Sequence, residues 1–73
     1  GDFEKALKYY QNSLNSNNKV IRSEILFKAA EMAKVLEKNE LAIEYYTEII
    51  TDFPQSQHVN QVNKKIAELL AKK

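Results

Sequence analysis

Residues 4–10 read EKALKYY and residues 40–46 read ELAIEYY, so a chain of 73 residues states one pattern twice. At an offset of 36, Glu4 meets Glu40, Ala6 meets Ala42, Leu7 meets Ile43, Tyr9 meets Tyr45, Tyr10 meets Tyr46 and Leu14 meets Ile50. Internal periods of about 20 to 50 residues mark solenoids, in which one unit cannot bury its apolar side until the next is stacked on it. A period of 36 holds two helices and their turns. The repetition therefore restricts the chain to stacked helix pairs more tightly than its length does.

Composition agrees. One Gly and one Pro, with Leu, Ala, Ile, Glu, Lys and Gln in long runs, favour helices and leave little turn chemistry for strands. The length allows one small domain, whose core must offset roughly 1.5 kcal/mol of ordering entropy per residue, about 110 kcal/mol in all. With no cysteine, neither a disulfide nor a thiolate-held metal assists, so helix packing carries the fold. Eleven basic and ten acidic residues are scattered to a net charge of +1, which gathers neither nucleic acid nor an anionic membrane. Arg22 is the single arginine and offers little scope for bidentate phosphate or guanine contacts. No apolar run approaches the roughly 20 residues of a membrane span, and the N-terminus lacks a basic-then-apolar layout, so direct membrane insertion is not expected.

Four helices follow from the periodicity. Phe3, Ala6, Leu7, Tyr10 and Leu14 recur at three- and four-residue steps, and NSNN at 15–18 ends that first helix because Asn and Ser side chains compete for backbone hydrogen bonds. From Val20 to Leu36 a broad arc of Ile21, Ile25, Leu26, Ala29, Ala30, Met32, Ala33 and Leu36 marks a second helix whose alanines permit close backbone approach. EKNE at 37–40 interrupts it, with Asn39 the expected cap of a third helix running to about Asp52. Pro54 pushes Phe53 out of helical geometry and Ser56 is placed to cap a fourth helix over 57–72. That helix is apolar at Val59, Val62, Ile66, Leu69 and Leu70, with Lys72 and Lys73 suited to its C-terminal dipole.

Leu26, Ala29-Ala30, Ala33, Ala42, Tyr46 and Pro54 together resemble the tetratricopeptide repeat. The period exceeds that family's 34 by two residues, which fall in NSNNKV. The resemblance implies an all-α fold of antiparallel helix-turn-helix repeats in an α-α superhelix. Residues 1–15 would be the second helix of an incomplete repeat, 20–54 one full repeat, and 56–73 a capping helix. It implies a scaffold that binds a protein or peptide segment on the concave face of the second helix. The run ITDFPQSQHVNQVNKKIAELL also resembles repeat ends in bacterial cell-envelope proteins, including outer-membrane assembly lipoproteins and periplasmic coordinators of envelope division. It leaves periplasm and cytoplasm both open.

An enzyme is not expected, because the chain has no Cys nucleophile, no glycine-rich phosphate cradle, no metal-ligand spacing and only one His. No cofactor is implied. His58 reads as a solvated surface residue, and Glu40, Glu44, Glu48 and Asp52 as a solvated acidic line on the third helix. Tyr10 and Tyr46 lie on apolar stripes and are expected in the core. Phe27 projects opposite the alanine arc, where an aromatic gains little from its own core, and so reads either as a binding anchor or as a ring shielded by a missing neighbour helix. The expected partner-binding set is Glu24, Phe27, Glu31, Lys34 and Val35 on the second helix with Gln61 and Lys65 on the fourth. The alternative is a structural or oligomerisation segment of a longer repeat protein. Under it the first helix, under-covered at Phe3, Leu7, Tyr10 or Leu14, would form a homo-oligomer or attach to preceding repeats.

Overall fold

The computed structural model describes residues 2–72. Gly1 and Lys73, which the expected first and fourth helices include, lie outside them. The chain forms α1 (Phe3–Asn12), α2 (Lys19–Val35), α3 (Asn39–Asp52) and α4 (Val59–Ala71), and no strand among the described residues. It is an all-α protein with repeat-like helix packing.

Each joint has a local cause. α1 stops at Asn12 and tightens into a 3-10 turn over Ser13–Asn15, where Ser13 Oγ donates to the Tyr9 carbonyl at 2.9 Å. Asn18 then opens α2, its Oδ1 accepting from the backbone N–H of Val20 at 2.9 Å and of Ile21 at 3.2 Å. Between α2 and α3 the expected Asn39 cap is absent, because Asn39 is already helical and no side chain caps α3. The C-terminal end of α2 makes the turn instead. Glu37 takes the left-handed conformation at φ 60, its N–H donating to the Lys34 carbonyl at 3.0 Å and that of Lys38 to the Ala33 carbonyl at 2.8 Å. Phe53 is held non-helical at φ −132, ψ 58 ahead of Pro54, and α3 ends at Asp52 as the sequence predicts. Ser56 Oγ accepts from the His58 N–H at 3.1 Å in a lead-in turn, so regular α4 begins at Val59 rather than at residue 57.

Successive helices pack on one another, α1 on α2, α2 on α3 and α3 on α4. Directions follow from the side-chain pairs that join alternate helices. Glu24 and Glu31 of α2 pair with His58 and Lys65 beside and on α4, advancing seven residues on both sides, so α2 and α4 run the same way. Glu4 and Gln11 of α1 pair likewise with Lys38 and Tyr45 beside and on α3. Two layers result, α1 with α3 and α2 with α4, in a slab whose thinnest extent is 15 Å. The core lies between the layers: Leu26, Ala30 and Ala33 of α2, Ala42, Tyr46 and Ile49 of α3, and Val62 and Leu69 of α4 are fully buried. The alanines let α2 and α3 approach closely. α1 contributes Leu7, buried outside that cluster.

Candidate functional site

The candidate residues lie along the seam where α2 and α4 run side by side. Phe27 does not stand apart from the core as its place opposite the alanines predicts. Its ring packs edge-on to Tyr46 at 6.2 Å between centroids and stacks on the His58 imidazole at 4.2 Å and 9°. α4 covers the side of α2 that a single-helix projection leaves bare. The solvated reading of His58 is corrected by the same contact: its side chain is only 16% exposed, and Nε2 donates to Glu24 Oε1 at 2.8 Å. Glu24 and Phe27 thus hold the start of α4 against α2.

Two turns further along, Glu31 is the centre of a second group. The buried Tyr46 hydroxyl donates to Glu31 Oε2 at 2.7 Å, and Lys65 Nζ lies 3.2 Å from Glu31 Oε1. Partial burial by itself raises the Glu31 carboxyl, but the bonds from Tyr46 and Lys65 and the nearby Lys34 charge outweigh it and leave the group below its usual 4.5. Burial first, then the bond to Glu31 and its negative charge, push the Tyr46 phenol well above the usual tyrosine range. At working pH the donor and acceptor roles are therefore fixed. A charge-assisted bond of this kind is among the stronger ones a small domain has.

Beyond Glu31 the seam opens into a hollow of about 680 Å³, lined among others by Lys34, Val35, Lys65 and Lys72. Val35 is 51% exposed there. Among the described residues Lys34 and Lys72 have no carboxylate within ion-pair distance. Gln61 is exposed on α4 and makes no side-chain hydrogen bond with the described residues. The structure therefore divides the seven predicted residues. Glu24, Phe27, Glu31 and Lys65 are tied into the seam, while Lys34, Val35 and Gln61 remain open at its surface.

Sequence reasoning missed His58 and the role of Tyr46 under Glu31. A signal was present: Glu24 and His58, Glu31 and Lys65, Gln11 and Tyr45, and Glu4 and Lys38 are all 34 residues apart. Complementary groups at one repeat spacing mark side chains that meet between neighbouring helices of one layer. On the opposite layer Glu40, Glu44 and Asp52 are exposed, as expected of a solvated line, and Glu48 lies 3.6 Å from Arg22. No three of the described His, Asp and Glu side chains gather to hold a metal ion, and no helix is long and apolar enough to cross a membrane. Comparison with models of known protein families, with curated proteins and with solved structures finds no match.

Proposed function

We propose that the chain is a protein-interaction module of the tetratricopeptide type, which receives an extended or helical protein segment along the α2–α4 face. The observation that carries this reading is the hollow at the end of the seam. There two parallel helices, locked to each other by Glu24–His58 and Glu31–Lys65, present Lys34, Lys72 and the exposed Val35, and among the described residues neither lysine has a carboxylate within ion-pair distance. A rigid frame with unengaged apolar and cationic groups loses little entropy on receiving a ligand. Phe27 serves in this reading as part of the frame and not as the anchor.

The test is selection of binding peptides from a displayed random library on the intact chain, followed by Lys34→Glu, Val35→Asp and Gln61→Ala. These surface changes are expected to weaken a selected peptide at least about tenfold for the first two, with helicity unchanged, since an interface centre carries most of the energy. Loss on Glu44→Lys, on the opposite layer, with no loss on the α2 variants would reject the face. A second reading, attachment through α1, is favoured by a separate observation: Phe3 of α1 is 45% exposed.

A further inference from the structure

Charges that lie scattered along the chain are sorted by the fold. α2 carries Lys19, Arg22, Lys28 and Lys34 against Glu24 and Glu31, a net charge of +2. α4 with the adjoining Lys72 carries Lys64 and Lys65 against Glu68, again a net +2. In the other layer α3 carries Glu40, Glu44, Glu48 and Asp52 with no basic residue, a net −4, and α1 with Asp2 is neutral. Helices packed layer on layer lie about 8–10 Å apart, which is about one Debye length at physiological ionic strength. A ligand on one face therefore feels chiefly the charge of that face.

Internal pairing sharpens the sorting. On the positive layer Glu24 is engaged by His58, and Glu31 accepts from Tyr46 and Lys65. Among the described residues Lys19, Lys28, Lys34, Lys64 and Lys72 have no carboxylate within ion-pair distance. Lys34, Lys65 and Lys72 line the hollow together with Val35, and Glu37 stands at its rim. The carbonyls that close α2 are already met by the N–H groups of Leu36, Glu37 and Lys38, so Lys34 is not required there.

We infer that the segment received on the α2–α4 face is acidic: an internal stretch of a partner protein that sets a carboxylate side chain against Lys34 and Lys72 and an apolar side chain on Val35. The inference rests on the interaction reading above and names the chemistry of its partner. A positive layer backed by a negative one turns an acidic segment toward the hollow before contact and repels it from α3. A second copy of the chain fits less well. The exposed residues of its α3 are Glu40, Glu44, Thr47, Thr51 and Asp52, which bring carboxylates but no apolar side chain for Val35. Nucleic acid is disfavoured because the single arginine lies 3.6 Å from Glu48, which leaves lysines without a fork for phosphate.

The test is display selection, on the intact chain, of random segments held between two flexible spacers so that no chain terminus is presented. The selected segments are expected to carry Asp or Glu near an apolar residue. As end-blocked peptides they bind Lys34→Glu and Lys72→Glu about tenfold more weakly than the parent chain, and added salt weakens them further. Replacing the acid of the segment by lysine recovers binding to Lys34→Glu, and Glu37→Gln, which removes the acid at the rim, strengthens the original segment about twofold. Segments that lose binding on Val35→Asp yet carry no acid and ignore both lysine variants overturn the inference and leave the interaction reading standing. Segments that ignore the α2 variants and respond to Glu44→Lys overturn both. A DNA oligonucleotide that binds at Lys34 more tightly than the selected segments overturns the inference, as does self-association of the chain abolished by Lys34→Glu and by Glu44→Lys.

Discussion

Tyr10 and Tyr46 stand at one place in two copies of one motif, yet Tyr46 is fully buried and Tyr10 only partly so. Their helices have the same stripe of apolar residues and the same adjacent tyrosine. α3 lies between two helices of the other layer and uses both sides of its stripe, whereas α1 packs on α2 and reaches α3 through the Gln11–Tyr45 and Glu4–Lys38 pairs. The expectation that both tyrosines serve the core holds for Tyr46 and is corrected for Tyr10. A helix motif encodes which faces are able to bury; neighbours decide which of them do.

The comparison is broken most directly by truncating each tyrosine. Tyr46→Ala removes a fully buried ring and the donor to Glu31, and is expected to cost about 3–5 kcal/mol, enough to unfold so small a domain. Tyr10→Ala is expected to cost less, about 1–2 kcal/mol, because Tyr10 is only partly buried and lies outside the buried cluster. Chemical denaturation of both variants checks this. Equal losses would show that α1 is as integral as α3.

Acid sharpens the same contrast. Because Glu31 titrates below 4.5 in the folded chain, its contribution is complete above pH 4.5 and is lost as pH falls from there through the lower folded value. Thermal midpoints of the parent and of Glu31→Gln are therefore expected to converge on acidification across that window. A gap that stays constant with pH would place the Glu31 contribution in packing instead of charge.

The joints give the smallest effect. Glu37 sits at φ 60 between α2 and α3, where a β-carbon crowds the following carbonyl oxygen and glycine, lacking one, does not. Glu37→Gly is expected to raise stability by about 0.5–1 kcal/mol, after the greater freedom glycine gives the unfolded chain is subtracted. The joint between α1 and α2 has no such strain, being closed by Asn18 in extended backbone, and Asn18→Gly is expected to lose only a few tenths of a kcal/mol.

Much of the architecture was legible because it rests on local chemistry. The apolar steps marked four helices, Pro54 and Phe53 marked the end of α3 near Asp52, and the alanines of α2 marked residues that the core buries. The misplaced Asn39 cap shows the limit of that method. A tight closure of α2 through a left-handed Glu37 has no signature when glycine does not occupy the position. The candidate face was legible as a list and not as an arrangement. A helix projected alone shows Phe27 as bare, and only the helix laid beside it turns that ring into a wall stacked on His58.

Periodicity, breakers and caps act within a few residues, so the sequence by itself determined that the chain is helical, where its helices break and which stripes are apolar. Which stripe is covered, which carboxylate meets Tyr46 and His58, and which side of α1 stays open depend on groups 15 and 34 residues apart that meet only after the helices pack. Those were decided by the tertiary structure, since burial and charge pairing are properties of neighbours in space.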